Sequence, residues 1–184
     1  MVLGISEFDS SGYGKASSDR LDSKGRLGFT IQRTARMKIV RTYSADRDFI
    51  RLVERLDEFL SEVNGDDHSF YNRFNSLDDI KHVVVAYEDG LAVSCGAFKR
   101  FDALSCEIKR MFTEPTHRGR GAAGRVLDEL ERWAKELGYA SAVLETSVKL
   151  DDARRLYERK GYSRIDNYGQ YRDAADSICF MKTL

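Results

Sequence analysis

A glycine-rich turn lies between a strand-like run and a helix-like run in the 184-residue chain. Residues 118–124 read Arg-Gly-Arg-Gly-Ala-Ala-Gly. They follow the apolar run Met111-Phe112-Thr113 and precede an amphipathic pattern from Val126 to Leu137. In such a unit the first N–H groups of the helix have no intrahelical partner, and the helix dipole adds positive potential at the turn. Glycines let an anion approach the backbone closely. The pattern therefore predicts a strand–turn–helix unit that binds a phosphate group.

Two other phosphate-binding motifs contain similar glycines and fit less well. A P-loop places Lys-Ser or Lys-Thr after its last glycine, whereas Arg-Val follows Gly124. Gly119, Gly121 and Gly124 also have the spacing of a dinucleotide-binding motif, which requires an acidic residue at the end of a second parallel strand about 20 residues later. No acidic residue ends such a strand here, although Glu145 lies near that distance. A tight turn without a ligand is the remaining alternative.

The same turn resembles a motif of the GNAT N-acetyltransferase superfamily. Arg118-x-x-Gly121-x-Ala123 is similar to that family's Gln/Arg-x-x-Gly-x-Gly/Ala, and residues 107–115 resemble the strand and proline that lead into it. Residues 153–162 resemble the family's A-x-x-L-Y-x-x-x-G-F run. The resemblance covers residues 37–184, and the end of the chain is similar to that of small stand-alone bacterial members. It implies an acetyl-CoA-dependent N-acetyltransferase.

The resemblance also implies which residues hold acetyl-CoA. In that family the turn cradles the pyrophosphate, and backbone groups at the positions of Met111 and Thr113 bind the pantetheine arm. Many relatives have asparagine where this chain has Leu150, so no side-chain contact with the pantetheine is implied there. The implied cofactor-binding residues are Met111, Phe112, Thr113, Arg118, Gly119, Arg120, Gly121, Ala122, Ala123, Gly124 and Arg125.

Transfer of an acetyl group from a thioester to an amine uses a base for the amine and an acid for the departing thiolate. By the resemblance Tyr157 is the acid, and a core tyrosine is the alternative. Two carboxylates are candidate bases. Glu107 lies on the strand that leads to the turn. Glu145 lies in an otherwise apolar strand, where burial would raise the pKa of its carboxyl group. The alternative for each is an ion pair with an arginine, and an acceptor that arrives partly deprotonated needs no base.

The strand before the turn also carries a predicted pattern of faces. Alternation places Glu107, Lys109, Met111 and Thr113 on one side of the sheet. Basic residues concentrate around the turn, and we expect them to favour a phosphorylated ligand; they are Lys109, Arg110, Arg118, Arg120 and Arg125.

The acceptor pocket is predicted from two separate segments. A second short helix over about residues 68–75 offers His68, Tyr71, Asn72 and Asn75, and the end of the chain offers Tyr168 and Tyr171. The acceptor is expected to be a primary amine of a small molecule, an amino acid or a peptide. A module of the same fold that binds acyl-CoA without turnover is the alternative, and the presence of Tyr157 favours the enzyme.

Composition excludes some other classes of protein. A formal net charge of zero, from 30 basic and 30 acidic residues, argues against a nucleic-acid binder. Three cysteines without metal-ligand spacing predict buried, reduced thiols, no metal and a cytoplasmic location. No apolar stretch is long enough to span a membrane, and no secretory pattern opens the chain. Many members of the family form homodimers, and the sequence leaves the oligomeric state open.

The chain divides into a leader and one domain. Residues 1–36 are polar and lack apolar periodicity, which predicts a disordered leader, an expression remnant or a stretch before a natural start at Met37, with a strand at 27–31 as the alternative. Residues 37–184 form the N-acetyltransferase domain, whose first helix is predicted to be capped by Ser44. Its order of strands and helices predicts an α+β fold of the GNAT acyl-CoA N-acyltransferase type. That fold is a mixed, mostly antiparallel sheet of about seven strands flanked by about four helices.

Overall fold

A computed structural model describes residues 37–64, 77 and 79–184 of the chain. The predicted leader over residues 1–36 lies outside the described residues. So does the predicted second helix with its candidate acceptor residues His68, Tyr71, Asn72 and Asn75.

Seven strands and three α-helices form the described part of the chain. In chain order they are β1 (Lys38–Thr42), α1 (Arg47–Asn64), β2 (His82–Glu88), β3 (Leu91–Arg100), β4 (Ser105–Thr113), α2 (Ala122–Glu136), β5 (Ser141–Ser147), α3 (Asp151–Arg159), β6 (Ser163–Ile165) and β7 (Ser177–Thr183). The strands form one sheet in the order β1-β2-β3-β4-β5-β7-β6. Among the described strands, β4 and β5 are the only parallel pair, so the predicted mixed, mostly antiparallel sheet is confirmed.

The two faces of the sheet carry separate hydrophobic cores. Side chains of α1, such as Phe49 and Leu52, pack on one face against Val83 and Val85. The residues between them along the strands, such as Val84, point to the other face and pack beneath α2 and α3. This alternation is the pattern of a sheet covered on both sides. Within the described ranges, no helix combines the length and apolar character needed to cross a bilayer.

The parallel strands β4 and β5 pair over only three residues each. Ser105–Glu107 lies in register with Ser141–Val143, and no register pairs follow beyond Glu107 in the described structure. The edge of β4 that faces β5 therefore loses its strand partner halfway along. Because unpaired backbone N–H and C=O groups at such an opening need partners, the gap is a natural place for an extended ligand.

A β-bulge at Arg110 changes the predicted faces of β4. Arg110 has a left-handed φ of 57°, and the β3–β4 register shifts between Cys95 and Ala97. Arg110 pairs with Asp57 of α1, and Met111 packs against the core beneath α2 and α3. The prediction that Glu107, Lys109, Met111 and Thr113 share a face is therefore wrong: an inserted residue resets the alternation after Lys109.

Local details at three predicted elements also differ. Asp46, not Ser44, caps α1, because its carboxylate accepts the N–H groups of Asp48 at 2.9 Å and Phe49 at 3.1 Å. The strand expected over residues 162–171 shrinks to Ser163–Ile165, and residues 169–171 form a 3₁₀ turn. The three cysteines are buried and form no disulfide, as expected.

We expect Gly96→Ala to lower the thermal unfolding midpoint by several degrees. A β-carbon at this position would overlap Met111 Sδ and would lie 2.9 Å from Leu130 Cδ1 and 3.0 Å from Val126 Cγ1. Methionine can move away, but Leu130 and Val126 are fully buried and must also give way, and such overpacking costs about 1–3 kcal/mol. Calorimetric unfolding measures the change, and an unaltered midpoint would contradict this account of the packing between β3 and α2.

Candidate active site

The glycine turn leads directly into α2 with its backbone exposed. Gly119 and Gly121 have φ values of 76° and 83°, and no heavy atom of the described residues lies within 4 Å of a β-carbon built at either position. The ladder of α2 begins with the bond from Arg125 N to Gly121 O, at 3.1 Å. The N–H groups of Ala122, Ala123 and Gly124 come before that first bond, so they are available to an anion.

Side chains around the turn hold it against the sheet. Arg118 Nε donates to the carbonyl oxygen of Thr113 at 3.2 Å, and its guanidinium lies 5.0 Å from the centre of the Phe59 ring. Arg120 lies 3.3 Å and His117 3.6 Å from Glu88 at the end of β2. The turn is thus connected to α1 and to two strands, which preorganises its N–H groups.

A groove of about 720 Å³ runs from this turn toward the gap between β4 and β5. Its volume lies within the usual range of small-molecule sites, about 300–1,000 Å³. We call it the turn-side groove. Eight of the eleven predicted cofactor-binding residues line it, namely Met111, Phe112, Thr113, Arg118, Gly119, Gly121, Ala122 and Ala123.

The other three predicted cofactor-binding residues lie outside the lining of the turn-side groove. Arg120 is exposed and pairs with Glu88, and the Arg125 side chain is exposed. Gly124 is buried, and a β-carbon there would lie 3.2 Å from Lys160 Cε. Gly124 therefore allows α2 and the end of α3 to approach closely, whereas its N–H remains in the first turn of the helix.

A second, smaller cavity of about 140 Å³ is lined by residues of α1, β4, β5 and α3. We call it the inner cavity. Charged and hydroxyl groups from several elements line it, and they include Glu107, Lys109, Arg110, Glu145 and Tyr171. The two spaces meet where their linings overlap. The residues that line both the inner cavity and the turn-side groove are Leu56, Met111, Leu150, Ala153 and Tyr157.

Tyr157 approaches this junction from α3. Its side chain is 5% exposed, and its ring packs against those of Tyr162, at 5.8 Å, and Phe180, at 6.3 Å. Desolvation by burial, with a smaller contribution from the charge of Glu145, holds the pKa of the Tyr157 phenol above its ordinary value. The phenol therefore keeps its proton at neutral pH, as a proton donor must.

The two candidate bases have different surroundings. Glu107 accepts hydrogen bonds from Lys109 Nζ at 3.3 Å and Tyr168 Oη at 3.2 Å, and its side chain is 4% exposed. Glu145 accepts a hydrogen bond from Ser177 Oγ at 2.6 Å. Desolvation raises the pKa of the Glu145 carboxyl, and the hydrogen bond from Ser177 and the charge of Lys109 only partly oppose it. A carboxyl group with a raised pKa binds a proton more readily, which suits Glu145 to the role of a base.

The two candidate acceptor tyrosines join the network around Glu107. Tyr171 lines the inner cavity, where its hydroxyl accepts a hydrogen bond from Lys109 Nζ at 3.2 Å. Tyr168 donates to Glu107, and its ring packs edge-on against Tyr171 and Phe101, with centroid distances of 5.8 and 4.9 Å. Burial raises the pKa of both phenols, so both remain protonated.

Sequence reasoning misplaced two basic residues. Lys109 and Arg110 were expected in the basic patch at the turn, but both line the inner cavity instead, and their side chains are 8% and 4% exposed. The bulge at Arg110 makes two consecutive side chains point to the same face. Nothing in the amino-acid pattern marks a bulge at this position.

Residues 49–162 of the chain match the model of the acetyltransferase (GNAT) family. The chain is 30% identical over 125 residues to the IAA acetyltransferase of Azospirillum brasilense. This alignment covers 66% of this chain and 81% of that protein. It is 33% identical over 101 residues to the uncharacterized N-acetyltransferase YsnE of Bacillus subtilis, covering 54% of this chain and 67% of that protein.

Two solved structures show the same fold. A Klebsiella pneumoniae protein assigned as an acyl-CoA N-acyltransferase superposes with a TM-score of 0.67 at 26% identity, over 80% of this chain and 97% of that one. The PaiA N-acetyltransferase of Thermoplasma acidophilum, solved in complex with coenzyme A, superposes with a TM-score of 0.61 at 16% identity, over 81% and 99% of the two chains.

Proposed function

Because this chain belongs to the acetyltransferase (GNAT) family, we propose that it transfers the acetyl group of acetyl-CoA to a primary amine by direct attack within a ternary complex. The acceptor is a small molecule, an amino acid or a peptide. The observation that carries the proposal is the junction at Tyr157, where the turn-side groove meets the inner cavity.

The turn-side groove is suited to hold the donor. The first-turn N–H groups of α2 and the dipole of that helix favour the pyrophosphate. Beyond Glu107 the edge of β4 has no β5 partner, so its N–H and C=O groups can bind the pantetheine amides and polarise the acetyl carbonyl. Arg118, Lys149 and Arg159 line the same groove and contribute positive charge, whereas Asp151 and Asp152 contribute negative charge.

The inner cavity is suited to hold the acceptor and to move its protons. The amine nitrogen attacks the thioester carbonyl carbon and forms the new C–N bond, and its proton passes to Glu145 directly or through one water. The C–S bond then breaks, and the thiolate takes the proton of the Tyr157 hydroxyl. Solvent returns a proton to Tyr157 and accepts the one held by Glu145, so the products are the acetylated amine and free coenzyme A.

A thiol-release assay over a panel of primary amines tests the proposal. We expect coenzyme A to be released in proportion to at least one amine, and release to disappear when the amine is omitted. Tight binding of acetyl-CoA with no amine-dependent release would instead support a module that binds acyl-CoA without turnover.

We expect Glu145→Gln to lower kcat/KM about 100-fold, at the low end for a general base, since an amine that is partly deprotonated needs less help. A base acts only when it is deprotonated, and burial raises the pKa of Glu145. In the unmodified protein kcat/KM should therefore fall as pH decreases through a value above the ordinary carboxyl range. The variant should lack this acidic limb, and a pH series of kcat/KM measures it.

Stability provides an independent check on the same residue. A carboxyl group with a raised pKa in the folded state destabilises the fold as pH rises above its unfolded-state pKa. Glu145→Gln should therefore unfold at a higher temperature than the unmodified protein at neutral pH, and the difference should vanish at low pH. Glu107→Gln, which removes the partner of Lys109, should lower stability and keep the acidic limb. An acidic limb that follows Glu107 instead would contradict the assignment of the base.

A further inference from the structure

A hydroxyl group from the last strand of the sheet holds the carboxylate of Glu145. Ser177, the first residue of β7, donates through Oγ to Glu145 Oε1 at 2.6 Å. Ser177 is 3% exposed, so solvent has little access to this contact. Hydrogen bonds to an ionised group are stronger than those between neutral groups. The contact therefore favours one position of the Glu145 carboxylate and favours its ionised form.

The register between β5 and β7 produces this contact. The two strands pair antiparallel over all seven residues of each, and Ser147 lies opposite Ser177. Glu145 is two residues from Ser147 and therefore points to the same face of the sheet. Diagonal neighbours across a strand pair remain within reach of each other. A residue at the start of β7 can thus touch a side chain of β5 that lines the inner cavity.

Contacts on both sides fix the backbone at the start of β7. Asn167 Nδ2 donates to the carbonyl oxygen of Ser177 at 3.0 Å. The carbonyl oxygen of Asp176 accepts the N–H of Val148 at 2.8 Å, and the Asp176 carboxylate lies 2.7 Å from Lys149 Nζ. Such supporting contacts hold a functional group in its working geometry. The Ser177 hydroxyl is therefore preorganised toward Glu145.

Other ionisable groups surround the Glu145 carboxylate. Those that line the inner cavity or interact with Glu145 are Glu107, Lys109 and Arg110 of β4, Tyr157 of α3, Tyr171 of the 3₁₀ turn and Cys179 of β7. From α1, the apolar residues Leu56 and Leu60 line the cavity. Burial raises the pKa of Glu145, and the hydrogen bond from Ser177 opposes this rise more than the charge of Lys109 does. Ser177 is thus the largest single influence that favours the ionised form.

From this geometry we propose that Ser177 is a positioning residue for the base, whose hydroxyl holds the Glu145 carboxylate ionised and oriented for the acceptor amine. The amine proton passes to Glu145, and the Ser177 hydroxyl keeps its own proton throughout. Ser177 lines neither the inner cavity nor the turn-side groove, so it acts through Glu145 and not on a substrate. The inference rests on the proposed amine acetylation with Glu145 as base.

The pH dependence of kcat/KM in Ser177→Ala tests the inference. Removing the donor destabilises ionised Glu145, so the pKa of its carboxyl group should rise further. We expect the acidic limb to move to higher pH by about one to two units, the effect of one hydrogen bond to a charged group. Below the limb, kcat/KM should fall about 10- to 100-fold, and the difference should disappear at high pH. Loss of packing alone would lower kcat/KM without moving the limb.

Two further variants serve as comparisons. Ser177→Thr keeps the hydroxyl donor and should keep the limb near its original pH. Ser141→Ala is the matched control, because Ser141 lies on the same strand as Glu145 and lines neither space. Its Oγ forms a hydrogen bond with Ser105 Oγ at 2.8 Å, so this variant also loses one hydroxyl contact of β5. The acidic limb of Ser141→Ala should coincide with that of the unmodified protein.

A double variant shows whether Ser177 acts through Glu145. In the Glu145→Gln background, Ser177→Ala should change kcat/KM by less than about twofold, because residues that act as a unit are not additive. The same loss in both backgrounds would overturn the inference. An acidic limb of Ser177→Ala that coincides with that of the unmodified protein would also overturn it.

A titration that does not depend on turnover separates this inference from the proposed function. NMR of the labelled Glu145 carboxyl carbon, assigned by its absence in Glu145→Gln, measures the pKa directly. We expect Ser177→Ala to raise it by the same one to two units, about the effect of one charge-assisted hydrogen bond. An unchanged pKa would overturn the inference. An absence of turnover with every amine would instead refute the proposed function.

Discussion

Gly121→Glu should weaken the binding of acetyl-CoA at least about 100-fold, the effect of losing two charge-assisted hydrogen bonds. Gly121 immediately precedes α2, and space for a β-carbon is open there, so the new side chain would extend into the region in front of the first-turn N–H groups. Its carboxylate would compete with the pyrophosphate for those groups and repel it. Titration calorimetry with acetyl-CoA measures the change.

Gly138→Glu is the matched control for this variant. Gly138 lies just beyond the other end of the same helix and has a φ of 89°. In the part of the chain that the structure describes, no heavy atom lies within 4 Å of a β-carbon built there either. Both variants therefore introduce the same charge and a similar backbone strain, and only Gly121 lines the turn-side groove. Equal affinities of the two variants for acetyl-CoA would contradict the assignment of the glycine turn as the phosphate site.

Tyr157→Phe should lower kcat by about 10²- to 10⁴-fold, the usual contribution of a general acid, with little change in the affinity for acetyl-CoA. The variant keeps the ring and its packing against Tyr162 and Phe180 but removes the only proton that the side chain could give to the thiolate. Because burial raises the pKa of the phenol, the unmodified protein should hold this proton across the physiological pH range. Single-turnover kinetics measure the chemical step directly.

Tyr162→Phe provides the comparison for Tyr157→Phe. Tyr162 is also buried and contacts the Tyr157 ring, yet it lines neither the turn-side groove nor the inner cavity. We expect the kcat of Tyr162→Phe to remain within about twofold of the unmodified protein, since changes that conserve side-chain volume usually have small effects. A loss of similar size in both variants would assign the effect to core packing and would contradict an acid role for Tyr157.

Local features of the sequence were sufficient to predict the order of elements and the glycine turn. The turn depends on glycines at positive φ and on the start of a helix, and both are properties of neighbouring residues. The apolar patterns of β2, β3 and β5 likewise identify buried strands without knowledge of their partners. The sequence alone does not decide between Ser44 and Asp46 as the cap of α1, since both residue types cap helices well. The structure shows that the Asp46 carboxylate accepts the N–H groups.

The acceptor side of the site depends on contacts between distant segments. Tyr168 donates to Glu107 across 61 positions, and Ser177 donates to Glu145 across 32. The bulge at Arg110 arises from the register between β3 and β4, which no periodicity in β4 alone reveals. Sequence patterns could therefore name Glu107 and Glu145 as candidate bases but could not distinguish an ion-paired carboxylate from one with a raised pKa.

A crystal structure of the chain with acetyl-CoA tests the central claim most directly. We predict that the pyrophosphate oxygens lie about 3 Å from the N–H groups of residues 122–124 and that the thioester sulfur lies within hydrogen-bonding reach of Tyr157 Oη. The acetyl group should then point into the inner cavity toward Glu145. A cofactor whose pyrophosphate binds away from the glycine turn, or whose acetyl group points away from the junction at Tyr157, would contradict the account.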